Sequence, residues 1–416
     1  MFSELVTKAV FENCLQVIIR KIPHARTLNV GLFINHGVKD EENYVNGISH
    51  FIEHVAFNYS NMDPSVRSHL GSLMDHGALY EAYTGKEMTR CSLSAQREHL
   101  PLMIETLSRI VMSNSISEKN LEHERAIILH EADTYFSSGR VNEELVEQAL
   151  WGNRSLGQFV IGNRQNISQF TLNQIEERMH QYYIPNNTQI VVQGSIDPEE
   201  VIDRIGEHFE NWKYYGRQKD VLIEIEPSIL GLPTANQRID LSISFVGVPF
   251  HSHERQAMNM LSYILGMGLR SRLHVELREK RELAYLVYSY TQSYALSGYL
   301  SIHINCRKDQ LSEIYKIVLS ILEELKSAGV EEDELQRAKA ARITNLMKIP
   351  GNDAVHLQTT GRYALLNKDF FVDLEKVEIE TLTAKEITEF SRVLFTEDRM
   401  ALSAIGVSSE DLAMLL

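Results

Sequence analysis

The chain has 416 residues, too many for one ordinary domain, so two domains are the natural expectation. Hydrophobic residues make up 44% and charged residues 23%, a globular rather than a disordered balance. With 56 acidic against 41 basic side chains the formal net charge is −15, which argues against nucleic acid or an anionic membrane as the main partner. Cys14, Cys91 and Cys306 lie far apart with no CxxC pair, so no disulfide framework is expected and a reducing compartment fits. The opening MFSELVTKAVFENC has no basic segment followed by a continuous apolar one, and no apolar run approaches the ~18 residues of a membrane span. A cytoplasmic protein is expected.

In chain order, TLNVGLFIN (27–35) places Leu28, Val30, Leu32 and Ile34 at period two, the pattern of a half-buried strand. NGISHFIEHVAF (46–57) and HERAIILHEADTY (123–135) read as helices. A third helix and a strand follow in FTLNQIEERMHQYYIPNNTQIVVQGSI, from Phe170, and then a helix opening on the capping residue Asp197. Residues 217–236 carry Pro227, Gly231 and Pro233 without helical periodicity and are read as a linker. Beyond it, IDLSISFV (239–246) repeats the alternation of the first strand, 212 residues later. LTAKEITEFSRVLFTEDRMALSAIGVS repeats the helix-to-strand unit of Phe170 at the same spacing. Thr171 matches Thr383, Tyr183 matches Phe395 and Gly194 matches Gly406. NLEHERAIIL and ELQRAKAARI match at 214. One long period through both halves marks an internal duplication rather than a solenoid. The expected fold is therefore α+β: two homologous domains, 1–216 and 237–416, each a mostly antiparallel sheet packed with helices.

The chemistry concentrates in residues 46–57. On a helix, His50 and His54 are one turn apart and face the same way, with Glu53 beside them. A solvated polar helix face is the bland alternative, but Ile48, Phe51, Ile52, Val55 and Phe57 imply a buried helix. A metal would satisfy both imidazoles at once. The order H-x-x-E-H is the inverse of the commoner zinc-protease helix, and it needs a third protein ligand. Glu124 and Glu131, two helical turns apart, put two carboxylates on one face of another helix. One can bind the metal while the other supports a histidine. In the second half, Glu276, Glu279 and Glu282 interleave with the arginines of GMGLRSRLHVELREKRELAYLVYSY (266–290), which excludes a nucleic-acid surface there. GMGLRS lacks the βαβ context of a dinucleotide site.

Across nearly its whole length the chain resembles the pitrilysin-type (inverzincin, M16) metallopeptidases, through NGISHFIEH, GALYEAYTGKEMTRCSL, ERAIILHE and LREKRELAYLVYS. The resemblance implies one Zn²⁺ per chain, held by His50, His54 and Glu131, with Glu53 as general base and Glu124 in support. It implies that Arg278 and Tyr285 stabilise the tetrahedral intermediate, and that an extended peptide pairs with an edge strand containing Glu81, Ala82, Tyr83 and Thr84. Only the first domain of such enzymes keeps the metal site; the segment here at spacing 212 from His50–His54 is SYILG. Members of this length act as dimers enclosing a chamber, so a homodimer or a heterodimer with a related metal-free subunit is implied. The function implied is zinc-dependent endopeptidase activity on peptides or small unfolded segments, including the maturation of one precursor peptide. The alternative is a non-catalytic partner subunit. Two departures from the family pattern stand out: Glu282 where a glycine is usual, and VAFNYS after His54 where many relatives have a Lys-Gly-Thr-like turn.

Overall fold

The computed structural model describes residues 5–112, 116–135, 141–213, 222–234 and 238–414. The first sheet contains β1 (Leu5–Val10), β2 (Gln16–Lys21), β3 (Leu28–Ile34), β4 (Leu79–Thr84), β5 (Thr89–Ala95) and β6 (Thr188–Gly194), in the order β1-β2-β6-β3-β5-β4. The second contains β7 (Ile229–Leu232), β8 (Arg238–Val246), β9 (Ala284–Ser293), β10 (Gly298–Arg307) and β11 (Met400–Ile405), in the order β7-β11-β8-β10-β9. Every pair is antiparallel except β2 with β6 and β7 with β11. With β1 set aside, the two sheets share one strand order and one parallel pair. The duplication read from the 212-residue spacing is thus a duplication of topology.

Strand β7 lies inside the segment expected to be a linker, as the counterpart of β2. Four residues between Pro227 and Pro233 are too few to show an alternation, so the strand leaves no period in the sequence. Residues 217–221 and 235–236 of that segment lie outside the described residues. The repeated helix-to-strand unit is matched down to its caps. Thr171 caps the N-terminus of helix Leu172–Tyr182 in a reciprocal box with Gln174, and Thr383 does the same for helix Ala384–Leu394 with Glu386. The strands that follow lead to Gly194 and Gly406, both at positive φ.

Two compact units emerge, and each takes one helical segment from the far half of the chain. One comprises Met1–Tyr135, Phe159–Val221 and Ile349–Phe370; the other comprises Phe136–Gln158, Leu222–Lys348 and Phe371–Leu416. In the first, helix Asp353–Leu365 lies on β3 and β6, burying Leu357 and Ala364 against Phe33, Val191 and Ile18. Asp353 anchors its start, accepting from the Thr27 hydroxyl (2.8 Å) and, at its carbonyl, from Gln193 Nε2 (2.7 Å). This cover explains why β3 is buried on both faces rather than the expected one. In the second unit, helix Val141–Trp151 covers β8 and β11, with Val146, Ala149, Leu150 and Trp151 against Val246, Tyr294, Tyr299 and Ala401.

The units diverge where β4 and β9 end their sheets. In the second, helix Arg255–Gly266 closes on β9. The Ser289 hydroxyl donates to the Ser262 carbonyl (2.6 Å), Thr291 donates to Asn259 Oδ1 (2.5 Å), and Gly266 packs against the Ser289 backbone. Ser262 and Gly266 stand 212 residues after His50 and His54, so small residues at the positions of two imidazoles let the helix pack closely on β9. The turn into β9 also differs from expectation. Glu282, in place of the usual glycine, keeps the left-handed conformation with φ of 54°, so the turn survives at the cost of backbone strain.

Two stability predictions follow from these backbone sites. A Cβ on Gly266 would sit 2.4 Å from Ser289 N, so Gly266→Ala should cost about 1–3 kcal/mol by overpacking; an unchanged urea midpoint would contradict the close packing. Glu282→Gly should raise the midpoint, worth about 1 kcal/mol of relieved strain, and a fall would show that the left-handed turn carries no strain.

Candidate metal centre

The segment 48–57 folds as one turn of α-helix, Ile48–Ile52, running into a π-helical turn, Glu53–Phe57. Ile48, Phe51, Ile52, Val55 and Phe57 are buried, leaving His50, Glu53 and His54 at a partly open surface. Gly47 starts the helix at φ of 102°, and its Cα faces that of Gly162 so closely that a side chain on either would collide. The first turn's unsatisfied N–H groups are met by Glu41. Its buried carboxylate accepts from Gly47 N (2.8 Å), Ser49 N (2.7 Å) and Asn46 Nδ2 (2.9 Å). Burial nevertheless raises its pKa, with those hydrogen bonds opposing. Arg125 ties the other side, with Cζ 5.7 Å from the Phe51 ring and Nη2 donating to the Phe170 carbonyl (2.7 Å).

The helix Glu118–Tyr135 brings Glu124 and Glu131 to the histidines. Glu124 is 0% exposed, and its Oε2 accepts from His54 Nδ1 at 2.9 Å. Its Oε1 accepts from Asn61 (2.8 Å) and Asn58 (3.3 Å), and Asn61 also donates to the His54 carbonyl (2.9 Å). A proton on Nδ1 leaves the lone pair of Nε2 for another partner. Glu131 Oε2 lies 3.5 Å from His54 Nε2 and 3.8 Å from His50 Nε2. One ligand atom from each of His50, His54 and Glu131 falls within 4.8 Å of the others. Two imidazoles and a carboxylate at that spacing are a donor set that zinc accepts.

The electrostatics follow from burial and charge. Burial raises the pKa of Glu53, opposed by a hydrogen bond from Thr84 and reinforced by the charge of Glu131. For Glu124, burial is outweighed by hydrogen bonds from His54 and Asn61, which hold its carboxyl below the usual range. Burial would depress His54, but hydrogen bonds to Glu124 and Glu131 lift it to about 9.

Among the described residues, strand β4 lies at the edge of its sheet, paired with β5. Thr84 is buried beside Glu53, and Ala82 is half-buried. Glu81 and Tyr83 point out from the other face over Arg90, which donates to Glu81 (3.3 Å) and sits 5.4 Å from the Tyr83 ring. The structure thus brings His50, Glu53, His54, Glu124, Glu131 and Thr84 together. Glu41, Asn61 and Arg125 were missed by sequence reasoning. Acidic and amide residues in loops before and after the histidines were the available signal, but their partners are distant in the chain.

Arg278 and Tyr285 form a second cluster in the other unit. Arg278 lies on a π-helical turn, His274–Lys280, with Cζ 5.9 Å from the Tyr285 ring. In β9, Leu286 pairs with Asn305 but Ala284 pairs with Cys306, so Tyr285 is the extra residue of a β-bulge. The bulge turns its ring outward, 71% exposed.

Comparison with known proteins matches this architecture. The profile "Insulinase (Peptidase family M16)" covers residues 16–164, and "Peptidase M16 inactive domain" covers 169–342. An uncharacterized zinc protease of Bacillus subtilis is 27% identical over 410 residues, spanning 97% of this chain and 99% of its own. The mitochondrial-processing peptidase subunit beta of Neurospora crassa is 25% identical over 426 residues, spanning 95% of this chain and 86% of its own. Among solved structures, a protease from Helicobacter pylori superposes with a TM-score of 0.86 at 17% identity, over 97% of this chain and 100% of that one. With both of its halves matched, this chain belongs to the M16 (insulinase) peptidase family.

Proposed function

We propose that this chain is a zinc-dependent endopeptidase, with one ion held by His50, His54 and Glu131. The observation that carries the reading is the convergence of those three donors within 4.8 Å, next to Glu53 and the edge strand β4. When bound, zinc supplies Lewis acidity, which acidifies water and polarises a carbonyl. Glu124 fixes the His54 ring through Nδ1, which sets Nε2 towards the site. Glu53, its pKa raised by burial, takes a proton from the attacking water and returns it to the leaving amine. An extended peptide adds to the edge strand β4, its backbone pairing along Glu81, Ala82, Tyr83 and Thr84. In the proposed dimer, Arg278 and Tyr285 reach the metal centre of the partner chain, where they supply guanidinium and phenol donors for the charge that develops on the carbonyl oxygen.

The substrates proposed are peptides and small unfolded segments, because strand addition needs an extended backbone. The proposed working form is a dimer enclosing a chamber, either of two such chains or with a related metal-free subunit, and cytoplasmic. Among the described residues no helix is long and apolar enough to cross a membrane. The Neurospora relative is named as a subunit, which supports pairing. A purely structural partner role is disfavoured because His50, Glu53, His54 and Glu131 are all kept.

Two measurements test this reading. Glu53→Gln should bind zinc as the parent does yet cleave a peptide library at least ~100-fold more slowly; cleavage at the parental rate would refute the role of Glu53. Zinc must displace the proton that Glu124 and Glu131 stabilise on His54, which titrates at about 9. Lowering the pH below that value should therefore weaken zinc binding by about tenfold per unit through this group. Chelator competition between pH 7 and 9 reads the slope, and affinity independent of pH would exclude His54 as a ligand.

A further inference from the structure

We propose that Arg238 is a positioning residue for Tyr285, a second guanidinium that joins Arg278 in holding the ring for the reaction. The proposal rests on the reading of Tyr285 as a donor to developing negative charge.

Tyr285 stands out of β9 on a bulge and has little packing to fix it. Two cations reach it from separate elements. Arg278 Cζ lies 5.9 Å from the ring centroid, and Arg238 Cζ, from the start of β8, lies 5.4 Å from it. A polar chain holds Arg238 in place. Its Nη1 donates to Asn305 Oδ1 (3.0 Å), and Asn305 Nδ2 donates to Asp240 Oδ1 (2.6 Å). Asp240 in turn lies 3.7 Å from Nε2 of the buried His303. The strand pairing supports this order, since Asn305 is opposite Asp240 and His303 is opposite Ser242.

The charge pattern separates this arrangement from an ordinary surface arginine. The carboxylates near Arg278 are engaged by other groups: Glu276 pairs with Lys280 and Arg281, and Glu279 pairs with His274. Asp240 is engaged by Asn305 and His303. Among the described residues neither Arg238 nor Arg278 has a carboxylate within ion-pair distance, yet both lie against one exposed phenol. Uncompensated positive charge gathered at a phenol suits a site where negative charge develops, and it is preorganised before that charge appears. Asn305 and Asp240 fix Arg238 through a neutral amide, so its charge is not cancelled by the group that orients it.

The test uses the full-length zinc-loaded protein and combines kinetics with a label on the ring. Arg238→Gln should lower kcat about tenfold with KM nearly unchanged, and Arg238→Lys should recover most of the loss. In a Tyr285→Phe background, Arg238→Gln should cost nothing further. An equal loss in both backgrounds, or a lysine variant as slow as the glutamine one, would overturn the proposal. The ¹⁹F resonance of 3-fluorotyrosine placed at position 285 should move in Arg238→Gln and return towards the parental position in Arg238→Lys. An unmoved resonance overturns the positioning role whatever the activity. A moved resonance in a protein whose Tyr285→Phe variant is fully active supports the positioning role and refutes the reading of Tyr285 as a donor.

Discussion

A buried carboxylate sets the geometry of the candidate metal centre. Glu124 has no exposed surface, so its charge must be met by protein donors, and His54, Asn61 and Asn58 supply them. That requirement fixes the register of helix Glu118–Tyr135 against the histidine helix. It also fixes the imidazole tautomer, and two turns further on it delivers Glu131 to His54 Nε2. Asn61 joins both sides, donating to the Glu124 carboxylate and to the backbone of His54. At the other end of the histidine helix, Glu41 meets the first N–H groups with a second buried carboxylate. The helix is therefore held at both ends by acids drawn from elsewhere in the chain.

The duplicated units show what this arrangement requires of an edge strand. Both copies end their sheets beside corresponding helices, and the side chains between helix and strand decide how closely the two pack. In the second copy, Ser262 and Gly266 allow hydrogen bonds and backbone contact that bring the helix onto β9. In the first, the imidazoles of His50 and His54 stand at the same positions and hold partners on helix Glu118–Tyr135. Two imidazoles in one copy and close helix-on-strand packing in the other are the same substitutions seen from two sides. The residues proposed to act from the second unit lie elsewhere, on a bulge and a π-helical turn preceding it.

Local and periodic features were legible in the sequence. The 212-residue spacing anticipated matched sheets because caps, turns and alternating strands are encoded within a few residues, as in Thr171–Gln174 and Thr383–Glu386. The H-x-x-E-H helix and the paired glutamates were legible because helical spacing places them on one face. The exchanged helices were not, since an apolar stripe such as Leu357 to Ala364 shows that a helix is covered without naming the sheet that covers it. Strand β7 was too short to carry a period. Glu41 and Asn61 were hidden for a different reason: a buried polar residue is identified by its partners, and theirs become neighbours only on folding.

The charge balance of the first unit's site gives the −15 net charge a local meaning. Glu53, Glu124 and Glu131 gather around the imidazoles of His50 and His54, and burial already raises the pKa of Glu53. His54 is drawn up to about 9 by the same carboxylates, so they recruit positive charge even from a group that burial would neutralise. A proton supplies one charge and binds one nitrogen. A divalent ion supplies two and can engage His50, His54 and Glu131 together, while leaving Glu124 its hydrogen bond to Nδ1. The surplus of carboxylates thus favours a dication over a proton on both charge and geometry. The other unit has the opposite local surplus, two guanidinium groups that lie against one phenol and have no carboxylate partner among the described residues. In the proposed reaction, the acidic cluster binds a cation and handles the proton, and the basic cluster is suited to the anion that forms.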